Sequence, residues 1–106
     1  MAEILAKRSR TRAPTHPGEN IREDVLPSLN MAVTAASNGL GISQQQLHRI
    51  LSCTHSITIE MALRIGKFVG TGPGLWLRMQ QEYDLWHKEK EIHSELENIE
   101  TVRKVS

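Results

Sequence analysis

The stretch TAASNGLGISQQQLHRILS, residues 34 to 52, constrains the fold most, because it holds two short helical runs that meet at one glycine. TAASNGL reads as a helix capped by Thr34, and QQQLHRILS reads as a second helix capped by Ser43. The apolar positions of the second run, Leu47, Ile50 and Leu51, follow the i, i+3, i+4 rule that gives a helix one buried side. Gly41 between the runs can take the positive φ of a tight helix-to-helix turn without a Cβ penalty, and Ile42 is placed to plug the angle.

Three more helices are expected around this pair. In HPGENIREDVLP, Pro17 suits a first helical turn, Glu19 complements the dipole there, and Ile21, Val25 and Leu26 form the apolar face. Pro27 is expected to end that helix. Thr58 caps a fourth helix with Glu60 in its first turn, a stripe of Met61, Ile65, Phe68 and Val69, and Gly70 as its stop. Pro73 opens a fifth, in which Trp76, Met79, Tyr83 and Trp86 recur by three and four. No period-2 strand of convincing length, internal repeat or low-complexity segment is present.

The organisation expected from this is all-α. Residues 1–14 form a flexible basic arm with Lys7, Arg8, Arg10 and Arg12, residues 15–90 the folded helical domain, and residues 91–106 a charged tail that is helical or disordered. In the tail the line of Ile92, Leu96, Ile99 and Val102 is too thin to fold alone.

With 106 residues, 39% of them hydrophobic, the chain has room for one modest core, which argues against a two-domain enzyme. Its net charge of +1 means that a polyanion must be held by local clusters rather than by the global field. Residues 1–22 sum to +3 and 43–68 to +2, against −2 for each of the intervening and final segments. Cys53 has no partner for an internal disulfide, and no apolar stretch approaches the roughly 20 residues of a membrane span or the apolar core of a secretory signal. These features fit a cytoplasmic protein that meets no membrane.

The pair of helices at Gly41 has the layout of a helix-turn-helix, which offers the outer N-terminal face of its second helix to the major groove of DNA. That face carries Gln44, Gln45, Gln46, His48 and Arg49. A glutamine amide pairs in bidentate fashion with adenine N6 and N7, discriminating against other bases by roughly 1–3 kcal/mol. The hydroxyls of Thr34 and Ser43 near helix N-termini are candidates for phosphate oxygens, with Arg49, Arg64 and Lys67 on the positive side. A solvated glutamine-rich surface is the competing reading of the same face. Trp76, Tyr83 and Trp86 read as packing rather than a base-stacking platform, and the arm as either solvated or a further phosphate contact. Cys53, His55 and His48 supply too few ligands for structural zinc, and no third residue orients a Cys and His nucleophile pair. No metal, cofactor or catalytic role is expected.

From His16 to about Trp86 the sequence resembles the HigA family of antitoxins, within the larger helix-turn-helix class that includes phage repressors. The segments that carry the likeness are HPGENIREDVLPSLNMAVTAAS, GLGISQQQLHRIL, SITIEMALRIGKFVGT and PGLWLRMQQEYDLW. The resemblance implies a five-helix, lambda-repressor-like domain that dimerises, binds palindromic operator DNA, represses its own operon and neutralises a co-encoded HigB-like toxin that cleaves mRNA. Leu85 and Trp86, near the end of the fifth helix, are the expected dimer seam. A helix-turn-helix protein-interaction module, or a stand-alone regulator without a toxin partner, is the alternative.

The chain departs from the family pattern at Ala36, where the family tends to have leucine, at Ser37, where it has alanine, and at Gly39, where it has a better helix former. These changes are expected to weaken the second helix, since glycine costs roughly 1 kcal/mol against alanine in a helix interior. The family's Ser-Pro-Glu start of the fifth helix is here Gly72, Pro73 and Gly74.

Overall fold

A computed structural model describes residues 12–103, so Lys7, Arg8 and Arg10 of the expected arm lie outside the described residues. Six helices and no strand occur in that range, which matches the all-α expectation, with one short helix beyond the five. They are α1 (17–28), α2 (Val33–Leu40), α3 (Gln44–Leu51), α4 (Ile59–Val69), α5 (Gly74–Glu91) and α6 (His93–Glu97).

Helix α1 starts at Pro17, as its fixed φ suggests, and its cap is an unusual one. The Nδ1 of His16 accepts the Gly18 N–H at 2.9 Å, doing for this helix what a serine hydroxyl does for others. Pro27 does not end the helix, contrary to expectation: the backbone stays helical through Ser28. In an unbroken α-helix the proline ring would meet the carbonyl of Glu23, four residues earlier. Here Ile21–Val25 widens into a π turn, with the Leu26 N–H reaching back to the Ile21 carbonyl, and the wider turn makes room for the ring. The chain then reverses at Asn30, whose φ of 51° is one that asparagine tolerates.

Two of the expected caps hold and one does not. The Ser43 hydroxyl accepts the Gln46 N–H at 3.0 Å and the Thr58 hydroxyl accepts the Met61 N–H at 3.1 Å. Helix α2 begins at Val33, two residues earlier than a cap at Thr34 implies, so Thr34 sits inside its first turn and Ala32 at the cap position contributes no side-chain hydrogen bond. Gly41 closes α2 with φ 72°, where the Ile42 N–H reaches the Ser37 carbonyl at 3.0 Å and the Gly41 N–H the Asn38 carbonyl at 3.2 Å.

The core lies where α1, α2, α3 and α4 meet, built from Ile21, Leu26, Ala36, Leu40, Leu47, Ile50, Ile65 and their neighbours, with Trp76 of α5 sealing it. The Trp76 indole N–H is satisfied by the Thr71 hydroxyl at 2.8 Å, which ties the start of α5 to the loop before it. The departures from the family pattern are accommodated within this packing. Beside Ala36 the core keeps a small apolar cavity lined by Leu40, Ile65, Phe68 and Val69. Ser37 is 1% exposed and its hydroxyl donates to the Thr34 carbonyl at 3.0 Å, leaving no unmet polar atom. At Gly39 a Cβ would collide with the ring of Phe68, so the weak helix former is what lets α4 approach α2.

Candidate nucleic-acid interface

Ser43 fixes the start of α3, and Leu47, Ile50 and Leu51 pin its inner side to the core. At 100° per residue, those three anchors leave Gln45 and Arg49 pointing most directly outward, flanked by Gln44 and His48 on one side and Gln46 on the other. All five are exposed, as is Ser43. Arg49 carries no ion pair among the described residues, so its guanidinium is available to an outside anion.

Beside this face runs an open groove of about 320 Å³ whose walls include Ser43, Gln45, Gln46 and Arg49 on one side and His55, Ser56 and Thr58 on the other. The structure thus gathers four of the seven residues expected from sequence at one groove. Gln44 and His48 lie on the same helix outside it, while Thr34 is exposed in the first turn of α2 and does not line it.

The second wall was not foreseen, and it comes from the loop after α3. Cys53 turns that loop with φ 65°, and the Thr54 N–H and hydroxyl both return to the Arg49 carbonyl, at 3.2 and 3.1 Å. At its far end the Ile57 N–H donates to the buried Gln80 side chain of α5 at 2.8 Å, and the Gln80 amide donates in turn to Asp84 at 3.0 Å. The loop is therefore held at both ends, by α3 and by α5. A polar residue inside the apolar stripe of α5 was the only sequence sign of this latch.

His16 sits behind the same loop. Burial holds its imidazole below the ordinary value of 6.5, against the pull of Asp84, a hydrogen bond with the His55 backbone and Glu19, all of which favour the charged form. Its ring meets Tyr83 edge-on at 4.8 Å, and Tyr83 in turn meets His87 at 4.3 Å. Nδ1 is committed as an acceptor at the α1 cap, so the neutral form fits this setting.

Arg64 is not on the free positive side as sequence placed it, since it pairs with Glu60 and with backbone carbonyls at the Gly41 turn. Lys67 is exposed. Leu85 is 62% exposed on α5, and Trp86 beside it is half-buried with Lys90 stacked 4.4 Å from its ring centre. Cys53 is half-buried, with no group of three His, Cys, Asp or Glu side chains gathered to hold a metal among the described residues.

A capped helix bearing outward amides, carried by a second helix across a glycine turn, defines a helix-turn-helix protein. A Haemophilus influenzae protein described as an uncharacterized HTH-type transcriptional regulator is 32% identical over 91 residues, spanning 84% of this chain and 85% of its own. The structure of an addiction module antidote protein of a HigA family from Coxiella burnetii superimposes with TM-score 0.79 at 33% identity, covering 87% of this chain and all of that one. Pseudomonas aeruginosa antitoxin HigA, solved with the higBA promoter, superimposes with TM-score 0.80 at 26% identity over 85% of this chain and 99% of that one. No protein-family model matches the chain. The chain belongs to the HigA family of helix-turn-helix transcriptional regulators.

Proposed function

We propose that this chain is a sequence-specific DNA-binding repressor that serves in the cytoplasm as the antitoxin of a toxin and antitoxin pair, binding the operator of its own operon and neutralising a co-encoded HigB-like, mRNA-cleaving toxin. The observation that carries the reading is the rigid seating of α3, with Gln44, Gln45, Gln46 and Arg49 turned outward. The solved complex of the Pseudomonas aeruginosa HigA with its promoter supports it.

In this reading the glutamine amides meet base edges in the major groove while Arg49 and the hydroxyls of Ser43, Ser56 and Thr58, with His55, line the groove that takes the phosphate backbone. Thr34, exposed in the first turn of α2, and His48, beside Gln44 on α3, are further contacts to the duplex. One recognition helix spans only a few base pairs, so two copies related by a two-fold axis engage half-sites about 34 Å apart or a multiple of that. Exposed Leu85 and half-buried Trp86 supply apolar area for the seam between them. The toxin docks on segments that lack enough apolar area to fold alone, the basic arm and the stripe from Ile92 to Val102.

A mobility-shift titration of the chain against its own upstream region tests the DNA half of the proposal. A retarded complex that outcompetes random duplex is the expected result. No shift at low salt, with or without the product of the adjoining gene, would point to a protein-interaction module instead.

A further inference from the structure

Both helices of the helix-turn-helix end on an arginine supplied by a helix outside the pair. At the C-terminus of α2, Arg64 of α4 sends Nη1 to the carbonyls of Leu40 at 2.9 Å and Gly41 at 3.4 Å. Its Nε and Nη2 are held by Glu60 Oε2 at 3.1 and 3.0 Å, one turn earlier on α4. At the C-terminus of α3, Arg22 of α1 sends Nη1 to the Leu51 carbonyl at 2.7 Å. A helix C-terminus presents carbonyls without intrahelical partners and the negative end of the macrodipole, so a cation there is doubly favoured.

These contacts matter most for α2, which is poorly equipped to hold itself. It has eight residues, no side-chain N-cap and a glycine in its last turn. Isolated helices of that length are not stable in water. Its end is fixed from α4, by Arg64 on the turn and by Phe68 against Gly39. Because α3 follows after only three residues, the pose of α2's end sets the angle at which the glutamine row leaves the surface.

We infer that Arg64 and Arg22 are positioning residues that fix the pose of the reading helix, rather than cations that meet phosphate. Glu60 belongs to the same device because it orients the Arg64 fork. The inference rests on the DNA-binding reading above for its consequence, and on the geometry alone for the clamp itself.

The two roles separate by salt. A duplex selected by the wild-type chain from a random-sequence pool and a shuffled duplex serve as probes, with Arg64→Gln, Arg22→Gln, Glu60→Gln and, as control, Lys67→Gln. A clamp predicts that Arg64→Gln weakens binding to the selected duplex about tenfold, as loss of one charge-assisted hydrogen bond would, and leaves the shuffled duplex and its salt slope unchanged. Arg22→Gln should act in the same direction. Glu60→Gln should lower the preference for the selected duplex, although removing a carboxylate near DNA would by itself tighten both. If Arg64→Gln instead loses affinity equally on both duplexes with a slope smaller by about one, Arg64 meets phosphate and the inference is wrong.

Should the wild-type chain select no duplex, the DNA reading fails and the clamp is still tested by amide exchange. The Gly41 and Ile42 amides, which close α2, should exchange faster in Arg64→Gln than in Lys67→Gln. Equal protection would overturn the clamp.

Discussion

Helices α2 and α3 are the same length and share one turn, yet they are stabilised in opposite ways. Helix α3 is written locally: a hydroxyl at its cap, three apolar residues on one side and polar residues on the rest. Helix α2 has no side-chain cap, buries Ala36 and Ser37 where larger or plainer residues would serve, and carries Gly39. Helix α4 holds it, with Phe68 against Gly39 and Arg64 on the Leu40 carbonyl. Helix α3 is thus capped and patterned by its own residues, with Arg22 of α1 added at its end, whereas α2 lacks a side-chain cap and leans on α4.

The sharpest way to break this contrast is a double-mutant cycle at the α2 and α4 contact. Helix propensity alone says that Gly39→Ala should stabilise the protein by up to about 1 kcal/mol. Because the new Cβ collides with Phe68, we expect it to cost about 1–3 kcal/mol in denaturant unfolding, and to become neutral or stabilising when Phe68→Ala is present. The same sign in both backgrounds would show that α2 does not depend on that contact.

A smaller effect separates the two caps expected from sequence. Ser43→Ala removes the hydrogen bond to Gln46 and should cost about 1 kcal/mol. Thr34→Ala, at a position that caps nothing, should stay within about 0.5 kcal/mol. Comparable losses would restore Thr34 as a cap.

Smallest is the effect of pH at the α1 cap. The native imidazole of His16 is held below 6.5, so on acidification the unfolded chain takes up the proton first and stability falls with pH below that value. Above it the contribution is fully present. His16→Asn keeps a capping acceptor that does not titrate, so its stability profile below pH 6.5 should be flatter than that of the wild type. Parallel profiles would rule out His16 as the source.

What could be read in the sequence follows the same division. Ser43, Thr58, Gly41 and Gly70 act within a few residues of their own positions, and each stands where its local chemistry indicates. Arg22 to Leu51, Arg64 to Leu40 and Gln80 to Ile57 join residues 29, 24 and 23 positions apart, so no periodicity marks them. The site was visible to the same extent. The outward row on α3 follows from Leu47, Ile50 and Leu51, whereas the groove wall of His55, Ser56 and Thr58 depends on a latch from α5. That the helix runs on past Pro27 is not legible in the sequence, because the π turn that relieves its clash leaves no mark in the apolar pattern.

The central claim is that the amides of α3 read bases, and replacing Gln44 and Gln45 together by alanine tests it most directly in paired titrations on selected and shuffled duplex. The account predicts a loss of about 1–3 kcal/mol per base-pairing amide on the selected duplex, with the shuffled duplex and its salt slope unchanged. Equal losses on both duplexes, or none on either, would contradict it.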